Sequence, residues 1–462
     1  MRKLWSLALF VASSSAIFSQ DAPKRPNFLI ILGDDMTWTD VSSLGHPDVK
    51  TPTLDQLARD GMRLSHVFTP APMCAPTRMA LYTGLYPVRN GGHPNHSQVH
   101  AGTASLPHRL GALGYRVALT GKRHFGPADC FPFETVGKNG QLAFLGLRSF
   151  IQDCGENPWC AVVASHEPHS PWDKGDRSAY PPEQLTIPPW LADTPQTRLS
   201  LSRYYAEVSF LDQQVGRCLD VLKRANAAES TLVLFLSEQG AGLPHAKWTL
   251  YDHGVRAAAF VRWPGKVKPG STSSALISYV DVLPTLIHLA GGAPPKQLDG
   301  RSFHRVLTGD SLRHHDAVFA VHTSRGISNG PRAYGIRAVR TGRYKLIHNI
   351  HHATRFQNNL TERPGVFRSW VAAASVDPRA AHLAAAYVQR PEWELYDTVA
   401  DPHELTNLAS RREHFEMMAD LRSKLGRWMK RQGDLGHATE MDAFNRQAPG
   451  RARRGRKALG KD

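Results

Sequence analysis

The sequence predicts an α/β protein: one large, mostly parallel sheet sandwiched by helices, closed by a smaller C-terminal α+β domain. Two observations carry this. Short apolar runs without polar alternation recur at residues 27–32, 116–120, 159–165, 231–237 and 258–263, the pattern of strands buried on both faces. Segments with helical spacing lie between them, and alternating strands and helices imply parallel strands joined by crossovers. Such sheets place their chemistry beyond the carboxyl ends of their strands.

The elements follow in order. After the first strand, Thr51 is placed to cap a helix with Pro52 at its first position, Leu54, Leu57 and Ala58 as its apolar face and Gly61 at its end. A longer helix runs through Leu201, Tyr205, Val208, Leu211, Val215, Leu219 and Leu222. A third covers residues 283–290, with Pro284 near its start and Gly291 after it. From about residue 310 the pattern changes. Residues 336–339 and 344–347 predict a hairpin around Thr341-Gly342, residues 372–388 an alanine-rich helix, and residues 393–396 an edge strand. The expected division is therefore a signal segment at 1–20, a catalytic α/β domain at 24–310, an α+β domain at 311–440 and a basic, disordered tail at 441–462.

The ends and the composition bound the function. Arg2 and Lys3, an apolar stretch at 4–18 and the polar Ser19-Gln20-Asp21 read in the order of a secretion signal. That stretch is too short to favour a membrane span, no later segment qualifies, and no cysteine near it supports a lipid anchor. The expected location is periplasmic or extracellular, or lysosomal in a eukaryotic host. Five cysteines (Cys74, Cys130, Cys154, Cys160 and Cys218) are too few for a disulfide scaffold. Cys154 and Cys160 can pair or stay as buried thiols, and Cys218 belongs to the core. The net charge of +16 stays positive without the tail, which suits an anionic substrate. Nucleic acid would be attracted too, but no module to bind it is present. No oligomeric state is implied.

Chemistry concentrates just after the predicted strands. Asp34 and Asp35 follow the first, and two adjacent carboxylates are relieved by a hard cation or by a solvated turn. Glu238 and Gln239 bring a carboxylate and an amide oxygen to the end of another strand. Lys122 and His124 follow the strand at 116–120, and His169 follows that at 159–165. In Cys74-Ala75-Pro76-Thr77-Arg78, Pro76 suits the first position of a helix, which puts Cys74 at the helix's positive end. Arg78 is then one turn on and can return toward residue 74, where an anion would bind. Each feature alone is ordinary; together they bring acids, a cysteine, an arginine, lysines and histidines to one sheet edge.

These residues resemble the sulfatase family of the alkaline-phosphatase-like superfamily. Arg25-Pro26-Asn27 leading to Gly33-Asp34-Asp35 resembles its opening, and Cys74 to Arg78 continuing into Leu81-Tyr82-Thr83-Gly84-Leu85-Tyr86-Pro87 its modification signature. Gly121-Lys122 with His124, and Pro168-His169 with Pro171, look like its further site motifs. Tyr279-Val280-Asp281 with Pro284-Thr285, and Glu394-Leu395-Tyr396-Asp397 with Asp401-Pro402 and Asn407-Leu408, resemble later landmarks. The stretch 121–133, with Gly126-Pro127 and Phe131-Pro132-Phe133, is similar to the heparan N-sulfatase (sulfamidase) branch. The family usually has Asp, then Asn or His, where this chain has Glu238-Gln239; the longer arms would shift or loosen a bound cation.

The resemblance implies a sulfuric ester or sulfamate hydrolase acting on a sulfated saccharide. A formylglycine-generating maturation enzyme would oxidise Cys74. The resulting formylglycine, held by Arg78, would supply the nucleophile beside a cation bound by Asp34, Asp35, Glu238, Gln239 and residue 74 itself. Lys122, Lys247 and His169 would bind the sulfuryl group, His169 would protonate the leaving atom, and His124 would assist the second step. Oxygen ligands argue for Ca²⁺, with Mg²⁺ second, and against zinc. The competing readings are a phosphodiesterase or phosphonate monoester hydrolase on the same scaffold, an inactive sulfated-glycan-binding relative damaged at Glu238-Gln239, and a nucleic-acid binder suggested by charge alone. His348, His351 and His352 are weak substrate-contact candidates. Asn95 and Asn359 fit glycosylation acceptors in a host that glycosylates exported proteins.

Overall fold

The computed structural model describes residues 25–447; the expected signal segment and the end of the expected tail lie outside them. The strands are β1 (Asn27–Gly33), β2 (Met62–Leu64), β3 (Val67–Phe68), β4 (Arg116–Gly121), β5 (Glu134–Thr135), β6 (Trp159–Ala164), β7 (Thr231–Ser237), β8 (Arg256–Ala257), β9 (Ala259–Arg262), β10 (Ser271–Ser273), β11 (Ile277–Ser278), β12 (Val318–His322), β13 (Ile336–Arg340), β14 (Tyr344–Asn349) and β15 (Trp393–Asp397). Among the described residues they form an eight-stranded sheet in the order β10-β2-β9-β7-β1-β6-β4-β5, a small β11-β3-β8 sheet and a four-stranded β12-β13-β14-β15 sheet.

The parallel centre of the large sheet explains why its strands lack alternation. Successive β1 side chains point to opposite faces, and both faces are covered. Leu29 and Ile31 join the core under the helix Pro195–Arg224, with Val208, Leu211 and Val215. Phe28, Ile30 and Leu32 join the opposite core, with Met79, Leu283 and Leu286 of the helices Cys74–Thr83 and Val282–Leu289. Each such buried side chain contributes about 1.5–3 kcal/mol.

Register sets the functional edge. Leu32 lies opposite Ala164, Gly33 opposite Ser237 and Gly121 opposite Ala164, so β1, β4, β6 and β7 end level. Backbone bonds hold the residues that follow: Glu238 N–H donates to Gly33 O (2.7 Å), Asp34 N–H to Glu167 O (2.8 Å) and Lys122 N–H to Ala164 O (2.8 Å).

Several expectations are corrected. The run at 258–263 forms β9, which pairs antiparallel with β7. The chain between them stays at the carboxyl edge, with only the short helix Asp252–Val255, and so re-enters the sheet from that edge. Thr51 does not cap the helix Pro52–Asp60; its hydroxyl accepts from Ser42 N–H, and Asp212 of the long helix accepts from Thr53 and Leu54 N–H (3.0 and 2.8 Å). Pro76 is the third residue of its helix, which begins at Cys74. The alanine-rich stretch is two helices, Val366–Ala373 and Pro378–Val388. The break comes at Asp377, whose carboxylate accepts from Arg379 and Ala380 N–H. All five cysteines are free, so Cys154 and Cys160 are buried thiols. The tail is ordered through residue 447: the helix His437–Arg446 docks on the large domain, where Arg446 Nε donates to Gly91 O (3.0 Å).

The C-terminal sheet is packed on both sides. Val318, Ile336, Ala338 and Ile347 continue the large domain's core, while Val321, Val339, Leu346 and Leu395 lie under Leu421, Leu425 and Trp428 of the helix Phe415–Gln432. The expected hairpin is β13–β14 and the expected edge strand is β15. Arg337, wholly buried in β13, pairs with Asp434 through two nitrogens and donates to His322 O (3.0 Å). Asp434→Ala would leave that guanidinium buried without its counter-charge, and we expect it to destabilise the protein by about 3–5 kcal/mol in chemical denaturation.

Candidate functional site

Cys74 opens the helix Cys74–Thr83, its Sγ at the positive helix end and 2% exposed. Around it the level strand ends deliver their side chains. Asp34 Oδ1 lies 3.6 Å and Asp35 Oδ1 3.8 Å from Cys74 Sγ, with Gln239 Nε2 at 3.4 Å and Lys247 Nζ at 3.8 Å. Lys122 pairs with Asp34 and Lys247 with Asp35, while Gln239 Nε2 donates to Asp35. Arg78 turns back as expected. Its Nε lies 2.6 Å and its Nη2 3.1 Å from the Glu238 carboxylate, and Nη1 donates to Lys122 O (3.0 Å). His169 Nε2 is 3.5 Å from Asp35 Oδ2, and its Nδ1 lies 2.6 Å from Ser170 O, so Nδ1 carries the donated proton. His124 Nε2 is 2.7 Å from His96 Nδ1. All ten expected site residues therefore meet around residue 74 or its neighbours.

Local backbone makes this possible. Gly121 has φ of +92°, and a Cβ there would lie 2.0 Å from Ala164 O; only glycine lets the chain turn Lys122 into the site. Asp35, His124 and Trp248 adopt φ of 60°, 46° and 72°, left-handed conformations gathered at one site.

The electrostatics are those of a buried, balanced cluster. Three carboxylates (Asp34, Asp35, Glu238) face three cations (Arg78, Lys122, Lys247). Burial pushes the Asp34 carboxyl up, but Lys122, Glu238 and Arg78 together hold it well below the usual range. Burial opposes the Lys247 charge, yet Asp35 and its neighbours raise that group to about 12. Burial raises Glu238 to about 8, against the pull of Arg78. Burial also raises the Cys74 thiol to about 12, with Glu238 adding to it, so the unmodified side chain is a neutral thiol and a poor nucleophile at neutral pH. His124 is held well below its ordinary value, first by burial and then by Lys122.

The donor set fits a hard divalent cation. One oxygen or sulfur from each of Asp34, Asp35, Cys74 and Glu238 lies within 4.8 Å of the others, and Gln239 Oε1 is buried without a hydrogen-bond partner. Carboxylate and amide oxygens suit calcium or magnesium, and a neutral thiol offers little to a softer ion.

Above the cluster opens a cavity of about 590 Å³. Its walls include residues that the sequence did not assign to the site: Asn95, His96, His166, Trp248 and, from the C-terminal part, Ile327, Asn359 and Arg363. Asn95 is 4% exposed, too buried for a glycosylation acceptor, whereas Asn359 is half-buried in the cavity wall. The adjacency of Asn95-His96 was the available signal, and His96 reaches His124. His348, His351 and His352 do not line the cavity. His348 stacks on Trp393, and His351 Nε2 lies 2.8 Å from His437 Nδ1.

Comparison with known proteins places the chain in a family. A family model described as Sulfatase matches residues 26–147 and 141–293, and one described as N-sulphoglucosamine sulphohydrolase, C-terminal, matches residues 244–370. An "Ulvan-active sulfatase" of Formosa agariphila is 30% identical over 427 residues, covering 89% of this chain and 81% of that one. The "N-sulphoglucosamine sulphohydrolase" of Homo sapiens is 28% identical over 457 residues, covering 87% and 90%. Among solved structures, one in complex with its substrate D-glucosamine-2-N,6-O-disulfate superposes with a TM-score of 0.69 at 19% identity, covering 89% of this chain and 99% of that one. The phosphonate monoester hydrolase of Agrobacterium radiobacter gives 0.67 at 21% identity, covering 90% and 97%. These two share the fold.

Lys247→Ala would leave Asp35 without its buried ammonium. We expect a loss of about 3–5 kcal/mol in chemical denaturation without divalent cations, and a larger recovery on adding calcium than the parent protein shows.

Proposed function

The chain belongs to the sulfatase family, and on that premise we propose that it releases sulfate from a sulfated carbohydrate, with Cys74 matured to formylglycine beside one calcium ion. It is a sulfuric ester hydrolase by family. The observation that carries the reading is the setting of Cys74: a neutral, buried thiol at a helix N-terminus, ringed by Asp34, Asp35, Gln239 and Lys247 at the floor of an open cavity. Sulfatases generally use formylglycine and a metal ion; here the hydrated aldehyde would supply a hydroxyl nucleophile and the ion would polarise it.

The remaining steps fall to the chain's own residues. Asp34, Asp35, Glu238 and Gln239 would hold the cation; calcium is favoured because the longer Glu238 and Gln239 arms suit its flexible coordination. Arg78 locks Glu238 in place and keeps positive charge beside residue 74. Lys122 and Lys247, each anchored on one aspartate, would face the negative charge that builds on the sulfuryl oxygens; a pair about 4 Å apart is worth roughly 4 kcal/mol near a protein surface. His169, its ring fixed by Ser170 O, would deliver a proton to the leaving atom from Nε2. His124 is neutral and bonded to His96, so the pair would take up a proton when the aldehyde reforms. Export by the N-terminal segment would bring the enzyme to extracellular or periplasmic substrate, or to the lysosome in a eukaryotic host.

A sulfamate rather than an ester is the second reading. It is favoured by the match of residues 244–370 to the N-sulphoglucosamine sulphohydrolase model. A phosphonate or phosphate diester substrate is supported by shared fold alone.

Two outcomes test the proposal. Matured wild-type protein should release sulfate from sulfated saccharides and hydrolyse the phosphate ester of the same alcohol far more slowly; Cys74→Ala should fall to background while melting as the parent does, and full activity in that variant would refute the mechanism. His169→Ala should slow hydrolysis of a sugar sulfate by about 100-fold or more, yet that of nitrophenyl sulfate by less than about tenfold, since a good leaving group needs little protonation. Equal losses on the two substrates would remove His169 as the acid.

A further inference from the structure

A second cavity, of about 500 Å³, opens beside the first and shares Ser170, Pro171, Asp173, Asn359, Leu360 and Arg363 with it. Beyond that common rim its wall carries Trp172, Arg177, Arg203 and Phe367. Three guanidinium groups thus line it against one carboxylate, Asp173, whose Oδ1 already lies 3.5 Å from Lys174 Nζ. Arg177 donates to Trp172 O (2.7 Å). Arg203 projects from the helix Pro195–Arg224 and is partly buried; its Nε is sealed from solvent and has no hydrogen-bond partner. Among the described residues neither Arg203 nor Arg363 has a carboxylate partner, unlike Arg78, Arg337 and Arg198. A half-buried guanidinium without a counter-charge is costly, and its planar fork is shaped for a two-oxygen anion.

We propose that this second cavity is a subsite for a second anionic group, a carboxylate or sulfate carried by the sugar adjoining the one whose sulfate is removed, with Arg203 and Arg363 as its ligands. This rests on the sulfated-carbohydrate reading above. It deepens that reading: the substrate is an oligosaccharide with anionic groups on neighbouring units, lying across the rim formed by residues 170–173 and 359–363. The reacting sulfate sits at the Cys74 end and the second anion at the Arg203 end.

The test measures binding to the full-length Cys74→Ala protein, which does not turn over, by calorimetry. The probes are a disaccharide of N-sulfated glucosamine joined to a uronic acid, the same disaccharide with its carboxyl reduced, and the reduced form carrying a sulfate on the second sugar. Reduction should weaken binding by about tenfold or more, and the added sulfate should restore it if the site accepts either anion. Restoration by only one of the two anions identifies which source the site selects. In Cys74→Ala/Arg203→Gln and in Cys74→Ala/Arg363→Gln that ratio should fall toward one; Arg363 is exposed, so its variant keeps the fold. Equal binding of the charged and reduced forms, or a ratio unchanged by both substitutions, would overturn the subsite. Sulfate release by the matured wild-type protein from the same disaccharides separates the two claims. Release without charge-dependent binding overturns the subsite alone, charge-dependent binding without release overturns the hydrolase reading alone, and the absence of both overturns both.

Discussion

Three carboxylates are forced together in a dry place. The parallel pairing of β1 with β6 and β7 makes these strands end level, and the residues following them, Asp34, Asp35 and Glu238, have nowhere else to go. Carboxylates buried this closely cannot persist uncompensated. Arg78, Lys122 and Lys247 each approach from a different segment to meet one of them. The fold of the large domain, the placing of the helix Cys74–Thr83 and the chemistry at its first residue all follow from satisfying that cluster.

The balance is also what gives the site a use. With each of the three carboxylates set against a cation, a divalent ion would leave the pocket net positive. A tetrahedral anion would then be welcome beside residue 74, and a buried thiol held neutral would not compete for the ion. The cavity above is formed partly by the C-terminal portion, through Ile327, Asn359 and Arg363. The connections between the strands of the small sheet therefore wall the cavity, while the sheet itself closes the core through Ile336, Ala338 and Ile347.

Much of this was legible in the chain, because buried strands and the residues after them announce themselves locally. Unbroken apolar runs marked β1, β4, β6 and β7, and the polar residues that end them gather around Cys74. Features decided by distant packing were less legible. The direction of β9 depends on where the preceding loop lies, not on its own residues. Thr51 reads as a cap, but Asp212, far along the sequence, takes that role. Asn95 reads as an exposed acceptor, yet it is buried against the helix that bears Cys74, its Oδ1 3.5 Å from Ala75 N. Residues 441–447 adjoin a strongly basic stretch and read with it as a disordered tail, whereas Glu440, buried beside them, accepts from Ser324 N–H and anchors the helix. The walls given by residues 327 and 359–363 carry no motif and come into view only when the two parts of the chain pack.

The central claim is that Asp34, Asp35, Glu238 and Gln239 enclose a single ion next to residue 74. Elemental analysis of the purified protein tests it most directly. The account predicts one calcium or magnesium per chain in the parent and its loss in Asp35→Asn that retains the parent's fold. A parent protein that cannot be loaded with a divalent cation, or an Asp35→Asn variant that binds the ion as fully and as tightly as the parent, would contradict it.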